Sequence, residues 1–238
     1  MTDEERPRAL EAYERLADAY AERAPTKPFN ADLERPETRE LLPDLDGKRV
    51  LDAGCGPGIT TAELLAAGTE VVGLDVSPAM LRHAWGRIDG DASLLRADLG
   101  GPLPFPDGSF DVVHGSLAFD YVRDWTPLFG ELARILRADG TLVCSVGHPF
   151  ADATFFDPED YFAVEAVSAV WEDFGDPVEV PTYRRPLETA LNPLLEAGFR
   201  LDRVSEATPT GGFREKSPET YERVSREPTS LCLRATLR

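Results

Sequence analysis

The sequence has 238 residues, of which 42% are hydrophobic and 29% are charged, values typical of a globular domain with a sizeable core. No apolar run approaches the roughly 20 residues of a bilayer-spanning helix, which argues against a membrane protein. Acidic residues number 43 against 25 basic ones, giving a formal net charge of -18. Such a surface repels phosphate backbones, so it disfavours a nucleic-acid partner.

The acidic excess extends to the N-terminus, where Met1–Glu5 is acidic although a secretory signal would be basic and then apolar. We therefore expect a cytoplasmic protein. Lysine is rare, and the chain contains only Lys27, Lys48 and Lys216. An acidic surface with few lysines is typical of a protein adapted to high salt, and we state that adaptation as a hypothesis.

The first half of the chain alternates between helical and extended patterns. Apolar residues at helical spacing predict a helix over 8–22, and a short helical turn is predicted over 35–42. Short apolar runs then predict strands over 49–52, 70–75, 93–99, 110–117 and 141–146. Helices are predicted between them, over 59–67, from Ser77-Pro78 and from Thr126-Pro127, because serine caps a helix and proline fits its first position.

The second half is less regular over 148–185, and it then returns to the same pattern. A helix is predicted from Leu187 to Gly198, and strands are predicted over 199–205 and 231–237. Strands that alternate with helices of about ten residues predict an α/β fold, in which helices cover both faces of a parallel sheet. Ligands bind such sheets at the carboxyl ends of the strands, where the strand order reverses.

A glycine-rich turn follows the first predicted strand, with Gly54, Gly56 and Gly58 at alternate positions. Glycines allow a tight turn and a close approach of a ligand to the backbone. The helix that follows presents free N–H groups to that ligand. By itself this pattern is weak evidence, because an ordinary structural turn also fits it.

Acidic residues near the ends of successive strands strengthen the interpretation. Asp75 ends the second predicted strand, where a carboxylate can accept hydrogen bonds from two ribose hydroxyls. Asp98 ends the third, where it can accept a hydrogen bond from the exocyclic amine of a purine. Each aspartate alone could be a solvated strand end or a helix cap. Together with the glycine turn they predict a nucleotide-like ligand.

Two ligands fit this arrangement, a nicotinamide dinucleotide and S-adenosylmethionine. The dinucleotide pattern places its third glycine one residue later than Gly58. Asp52 precedes the turn, where it could face an ammonium group of a ligand and would repel a pyrophosphate. The chain also lacks a Tyr-x-x-x-Lys pair. A third possibility is a non-catalytic protein that binds S-adenosylmethionine and regulates a partner.

The motifs together resemble one family. Residues 50–58 and 72–81 resemble the first two motifs of class I S-adenosylmethionine-dependent methyltransferases, and residues 105–113 and 134–142 resemble the approaches to their fourth and fifth strands. The motifs occur in order and with family spacing between about Leu10 and Phe150. They resemble the branch that contains the ubiquinone and menaquinone biosynthesis methyltransferases. Ala138-Asp139-Gly140 departs from the usual Pro-Gly-Gly, which affects a turn and not the chemistry.

The resemblance implies a single methyltransferase domain with a Rossmann-like, doubly wound sheet of seven strands, the last one antiparallel. It implies a helical cover over 1–46 and a cofactor-binding core over 47–147. An insertion over 148–185, rich in aromatic residues, is expected to cap the acceptor site. The remaining residues, 186–238, would form the last large helix and the last two strands.

The resemblance also implies which residues hold S-adenosylmethionine. The glycine turn would hold the methionine part, Asp75 the ribose, and Met80 and Asp98 the adenine, while Tyr20 would lie in a helix that folds over the cofactor. The predicted cofactor-binding residues are Tyr20, Asp52, Ala53, Gly54, Cys55, Gly56, Gly58, Asp75, Val76, Met80, Ala97, Asp98, Leu99 and Ser116.

The methyl acceptor is predicted to be a small molecule, with nitrogen, oxygen and carbon all open as the acceptor atom. The resemblance favours His148 as a pocket residue and possible general base, although a loop histidine bonded to the backbone explains it equally well. His114 is interpreted as a core histidine. Asp120 and Tyr121 could face the acceptor, or Asp120 could cap a helix.

No metal site is predicted. The cysteines at positions 55, 144 and 232 are scattered and lack zinc or disulfide spacing, so they are expected to be buried, reduced thiols.

Overall fold

The computed structural model describes residues 7–238, so the Met1–Glu5 segment used above lies outside the described residues. The N-terminal part consists of helix α1 (Leu10–Arg23), a π-helical turn (Asn30–Glu34) and helix α2 (Arg35–Leu41). The two predicted helices are confirmed. The π-helical turn was not predicted, because its five residues carry no periodic apolar pattern.

The central part alternates strands and helices as predicted. Its elements are β1 (Arg49–Ala53), α3 (Ile59–Ala66), β2 (Glu70–Asp75), α4 (Pro78–Ile88), β3 (Ser93–Arg96), β4 (Phe110–Ser116), α5 (Trp125–Ile135) and β5 (Leu136–Gly147). The Ser77 hydroxyl accepts a hydrogen bond from Met80 N (3.1 Å) and caps α4 as expected. Helix α5 begins earlier than predicted, because Asp124 and not Thr126 caps it.

The C-terminal part contains α6 (Pro149–Phe156), β6 (Glu165–Trp171), β7 (Val178–Arg184), α7 (Leu187–Glu196), β8 (Phe199–Glu206), α8 (Gly211–Lys216), α9 (Pro218–Val224) and β9 (Ser230–Leu237). Most of the stretch expected to be irregular is therefore a helix and a β-hairpin. Helices α8 and α9 were not predicted, because each is two turns or shorter.

The main sheet has seven strands in the order β3-β2-β1-β4-β5-β9-β8, and β9 runs antiparallel to both of its neighbours. The predicted Rossmann-like sheet with an antiparallel last strand is confirmed. Strands β6 and β7 pair only with each other and form a separate two-stranded sheet. Strands β2 and β3 lie on one side of β1, and β4 and β5 lie on the other, so the strand order reverses between β1 and β4. In such sheets the ligand site lies at the carboxyl ends of the strands beside this reversal.

Apolar side chains pack on both faces of the main sheet. On one face, five residues of α5 that are at most 2% exposed pack against the strands: Trp125, Leu128, Phe129, Leu132 and Ile135. On the other face, Leu64 of α3 and Ile88 of α4 pack against Val50, Val71 and Val112. Burying each large side chain contributes about 1.5–3 kcal/mol, so this two-sided core holds the strand ends in fixed positions.

No helix within residues 7–238 is long and apolar enough to cross a membrane. The three cysteines are buried and free, as predicted.

Gly58 joins the glycine turn to the core. It precedes α3 with a φ of +77°, and a Cβ built on it would lie 2.9 Å from the backbone of Ala84 in α4. A side chain would therefore require both an unfavourable left-handed backbone and displacement of a helix. Gly58 is needed for packing between α3 and α4.

We predict that Gly58→Ala lowers the thermal midpoint of unfolding by several degrees, because the new methyl group collides with α4. The matched control is Gly86→Ala in the exposed face of α4, where a built Cβ has no atom within 4 Å. That control should raise stability by about 0.5–1 kcal/mol through helix propensity. Equal midpoints for the two variants, measured by circular dichroism, would contradict the packing argument.

Candidate active site

A cavity lies at the carboxyl ends of β1, β2 and β4, between the sheet and α1. Twelve of the fourteen predicted cofactor-binding residues line it: Tyr20, Asp52, Gly54, Cys55, Gly56, Asp75, Val76, Met80, Ala97, Asp98, Leu99 and Ser116. Ala53 is fully buried in the core beneath the cavity, and Gly58 packs against α4 as described above. The structure thus brings most of the predicted set to one place.

The glycine turn is bonded to the end of the neighbouring strand. Gly54 N and Cys55 N both donate to Leu74 O, at 2.7 and 2.9 Å, so the turn is held against β2. Gly54 has a φ of +79°, and a Cβ on it would collide with Ala118. Gly56 also has a positive φ, of +52°, but a Cβ on it would meet nothing within 4 Å. The backbone at Gly56 therefore faces open space that a ligand can approach.

The Asp75 carboxylate is oriented by two backbone groups. Its Oδ1 accepts a hydrogen bond from Ser77 N (2.8 Å), and its Oδ2 accepts one from Gly56 N (2.9 Å). Burial raises the pKa of Asp75 to about 6 although these two hydrogen bonds favour the charged form. Each oxygen keeps a second lone pair for a donor on a ligand.

Each oxygen of the Asp52 carboxylate has one hydrogen-bond partner in the core. The carboxylate is buried, and its Oδ2 accepts from Thr61 Oγ1 (2.6 Å) while its Oδ1 lies 3.2 Å from His114 Nδ1. Burial lowers the pKa of His114, but the hydrogen bond and charge of Asp52 outweigh it and raise that pKa overall. Asp52 reaches the cavity wall, yet its bonds tie β1 to α3 and β4.

The adenine side of the cavity differs in detail from the prediction. Strand β3 ends at Arg96, so the prediction that Asp98 ends this strand is wrong. Asp98 is exposed, and its Oδ1 accepts a hydrogen bond from Gly100 N (2.9 Å) within the following turn. Met80 is 1% exposed and packs against Tyr13 and Tyr20 of α1.

Sequence reasoning missed a buried carboxylate, Glu34, in the π-helical turn. Its side chain lines the cavity, and its Oε1 accepts hydrogen bonds from Ser116 Oγ (2.8 Å) and Ser145 Oγ (2.5 Å). Its neighbour Arg35 also lines the cavity and donates to Ala24 O and Pro25 O. Nothing in the local sequence indicated this, because charged residues in a helical pattern are normally on the solvent side.

Helix α1 is bonded to the core across the cavity. Glu14 Oε1 accepts hydrogen bonds from Ser77 Oγ (2.5 Å) and from Ala79 N (3.0 Å) at the start of α4. The hydrogen bond from Ser77 lowers the pKa of Glu14, so the carboxylate is charged at neutral pH. Tyr20 is thereby placed over the cavity, as predicted.

A second cavity, of about 690 Å³, adjoins the first under the β6–β7 hairpin. The two cavities share five lining residues: Tyr13, Tyr20, Asn30, Leu117 and Tyr121. The remaining walls come from the loop after β4, the end of β5, helix α6, the hairpin and the segment before β9. The segment 148–185, predicted to be a cap, thus contributes helix α6 and the β6–β7 hairpin to the wall of this cavity.

Aromatic side chains form the boundary between the two cavities. The hydroxyls of Tyr13 and Tyr121 lie 2.6 Å apart. Tyr20 stacks on Trp171 and contacts Phe174, with ring centroids 6.4 and 5.1 Å apart. Burial raises the pKa of Tyr20 to about 12, so its phenol is neutral. This boundary joins α1 to the hairpin.

His148 lines neither cavity within the described residues. Its Nδ1 accepts a hydrogen bond from Phe150 N (3.1 Å) and caps α6, while its Nε2 lies 3.1 Å from Glu206 Oε1. Burial lowers its pKa. The structure therefore gives His148 the capping role that was the alternative interpretation, and we do not propose it as a base.

The chemical groups around the first cavity fit S-adenosylmethionine. The cavity has an open glycine backbone, a free lone pair on each oxygen of Asp75, and an apolar wall that includes Met80 and Leu99. Within residues 7–238, no group of three or more His, Cys, Asp or Glu side chains could hold a metal ion.

Comparison with known proteins identifies the family. A family described as a methyltransferase domain matches residues 51–144. An S-adenosylmethionine-dependent methyltransferase from Mesorhizobium loti is 30% identical with a TM-score of 0.69, over 85% of this chain and 97% of that one. Demethylmenaquinone methyltransferase from Tropheryma whipplei is 32% identical over 58% of each chain. Malonyl-[acyl-carrier protein] O-methyltransferase from Halorhodospira halophila is 31% identical over 79% of this chain and 60% of its own length.

The fold and the site define a Rossmann-like protein that binds a nucleotide-like ligand. The chain belongs to the class I S-adenosylmethionine-dependent methyltransferases, so it is a methyltransferase enzyme and its cofactor is S-adenosylmethionine. The nicotinamide alternative is therefore wrong. The chain spans about 60% of the length of the two named enzymes. This coverage is too small to assign their substrates to this protein.

Proposed function

We propose that the protein transfers the methyl group of S-adenosylmethionine to a small molecule bound in the second cavity. The observation that carries this proposal is the shared boundary of Tyr13, Tyr20, Asn30, Leu117 and Tyr121 between the two cavities. An acceptor in the second cavity would meet the reactive end of a cofactor in the first at this boundary. The aromatic lining of this partly open cavity favours a small organic acceptor.

The geometry supports specific roles for the residues around the first cavity. We assign the ribose hydroxyls to Asp75, whose two oxygens are held by backbone N–H groups and each keep one lone pair. The backbone around Gly56 would hold the methionine part. Val76 and Met80 would pack against adenine, with the Ala97–Leu99 segment, including Asp98, on its edge. Tyr20 would cover the cofactor, and Ser116 would lie beside its methionine end.

The chain's own residues contribute alignment and exclusion of water. When bound, S-adenosylmethionine would supply a sulfonium methyl group, which the acceptor attacks in line while the sulfur leaves as a neutral thioether. The glycine turn and Asp75 hold one reactant, and the hairpin and α6 enclose the other. The boundary that contains Tyr13, Tyr20 and Tyr121 restricts the place where the two reactants meet. Because the sulfonium carries the reactivity, holding both reactants in line is the main requirement on the protein.

Incubation with isotope-labelled S-adenosylmethionine and a library of small metabolites tests the function. We expect label in at least one small molecule, detected by mass spectrometry, and stoichiometric S-adenosylhomocysteine. A Thr182→Trp variant should reduce transfer and leave S-adenosylhomocysteine binding unchanged, because Thr182 lines the second cavity and not the first. Label found only in protein or nucleic acid would contradict the proposal.

We predict that Asp75→Ala weakens S-adenosylhomocysteine binding by about tenfold or more, because two ribose hydrogen bonds to a carboxylate are lost. The matched control is Glu70→Ala, an exposed carboxylate at the other end of β2 that pairs with Arg49. Calorimetry should show unchanged affinity for this control. Equal affinity of the Asp75→Ala variant and the wild type would refute the ribose assignment.

The net charge of -18 supports two further proposals: adaptation to high salt and no nucleic-acid substrate. We keep a cytoplasmic location as a third proposal. We predict that the midpoint of thermal unfolding rises as KCl increases from about 0.1 M to about 1 M, because salt screens the repulsion among carboxylates. Choline chloride at the same ionic strength is the control, because it screens charges without supplying potassium ions. Equal stability in dilute and concentrated salt would contradict the adaptation.

A further inference from the structure

Two carboxylates face the second cavity and take no part in the cofactor pocket. Asp120 lies in the 3-10 turn Phe119–Tyr121 after β4, and Asp152 lies on α6. Both line the second cavity, and neither lines the first. They come from different elements on opposite sides of the end of β5.

The two carboxylates converge on one small space above Gly147, the last residue of β5. A Cβ built on Gly147 would lie 3.3 Å from Asp152 Oδ1 and 3.7 Å from Asp120 Oδ2. Only a glycine at this position leaves that space free. Both carboxylates therefore approach the same point beside Gly147, so one cationic group in the cavity can lie between them.

The carboxylates keep most of their hydrogen-bonding capacity. Asp120 Oδ2 accepts one hydrogen bond, from Gly147 N (2.8 Å), and the Asp152 carboxylate has no hydrogen bond or ion pair with residues 7–238. The two arginine side chains near the carboxylates are bonded to other groups. Arg184 pairs with Glu165 (2.6 Å), and the Arg185 guanidinium stacks on Trp125 and donates to Val122 O.

The other charged residues that line the cavity are each paired with an opposite charge. Lys27 pairs with Asp173 (2.9 Å), and Arg223 pairs with Glu227 (3.7 Å). The carboxylate pair is therefore the source of excess negative charge in this wall. The wall also contains the hydroxyl of Thr229, which is buried and has no hydrogen-bond partner within residues 7–238. A buried hydroxyl without a protein partner is left for a water molecule or a polar ligand group to satisfy.

Burial makes the pair able to exchange a proton near neutral pH. It raises the pKa of Asp120 to about 7, where the charge of Asp152 adds to the rise and the Gly147 hydrogen bond opposes it. Burial also raises the pKa of Asp152 to about 6, although Arg184 and Arg185 oppose it. One member of the pair can thus hold a cation while the other accepts a proton.

We propose that Asp120 and Asp152 recognise the ammonium group of a small amine, and that the reaction is N-methylation. This inference rests on the proposed function, because it concerns the acceptor cavity of that reaction. The aromatic rings of Tyr20, Trp171 and Phe174 supply an apolar wall for the body of the amine. A neutral alcohol would bring no positive charge to the two carboxylates.

The proton and electron movements balance. An amine bound as R–NH₃⁺ gives one proton to the carboxylate pair, and this frees the nitrogen lone pair. The lone pair forms the N–CH₃ bond as the C–S bond of the sulfonium breaks, and the electrons of that bond remain on sulfur. The products are a methylated ammonium ion and a neutral thioether, and the proton leaves the carboxylate for solvent.

Calorimetry on the S-adenosylhomocysteine-saturated protein tests the inference with three pairs of similar shape: benzylamine and benzyl alcohol, 2-phenylethylamine and 2-phenylethanol, and hexylamine and hexanol. We expect at least one amine to bind about tenfold or more tightly than its alcohol. Asp120→Asn and Asp152→Asn should each weaken that amine about tenfold and leave the alcohol unchanged. Asp176→Asn, in the exposed hairpin turn, is the matched control and should change neither.

The outcomes separate this inference from the proposed function. Alcohols that bind as tightly as amines, or amine affinities unchanged in a folded Asp120→Asn or Asp152→Asn variant, would overturn the amine inference while methyl transfer stands. Either variant is sufficient if the other does not fold. Absence of S-adenosylhomocysteine binding to the wild type would overturn both. Mass spectrometry should place the transferred methyl group on nitrogen, and a methylated oxygen alone would also overturn the inference.

Discussion

A buried carboxylate at the end of the central strand organises the fold. Asp52 pairs directly with His114 in the register of β1 and β4, and the two side chains are bonded together while Thr61 of α3 bonds the second oxygen. An isolated charge in this position would cost several kcal/mol, so both partners must be in place when the strands pair. The strand pair at which the sheet order reverses is therefore held in one register, and the glycine turn starts from a fixed point.

The two halves of the site depend on different kinds of structure. Main-chain groups dominate the cofactor side, where Leu74 O holds the glycine turn and Gly56 N and Ser77 N hold Asp75. Side chains dominate the acceptor side, where rings from α1 and the hairpin pack together. Positions set by main-chain hydrogen bonds change little when side chains are substituted. A cavity wall made of side chains changes with each substitution. The geometry of the cofactor side can therefore be formed by many sequences, whereas the geometry of the acceptor side is particular to this one.

This division explains what the sequence could predict. The glycine turn, Asp75 and the Ser77 cap have short-range causes, and each was placed correctly. The hairpin was not predicted, because alternate residues of β6 are only half-buried and Pro181 interrupts the pattern of β7. Glu34 and the convergence of Asp120 with Asp152 depend on contacts between distant segments. His148 has the side chain of a base, but its Nδ1 caps α6 and its Nε2 lies beside Glu206, which is far along the chain.

Within residues 7–238, strands β6 and β7 pair only with each other, and the seven-stranded sheet does not include them. Substitutions, insertions or a changed turn within it can therefore accumulate without altering the pairing of any strand that carries the glycine turn. Natural selection can thus replace the wall that meets the acceptor while the donor half stays intact. This gives a physical reason why one fold can diverge into enzymes with unrelated acceptors. Changes in the hairpin can alter which acceptor binds without altering the stability of the main sheet.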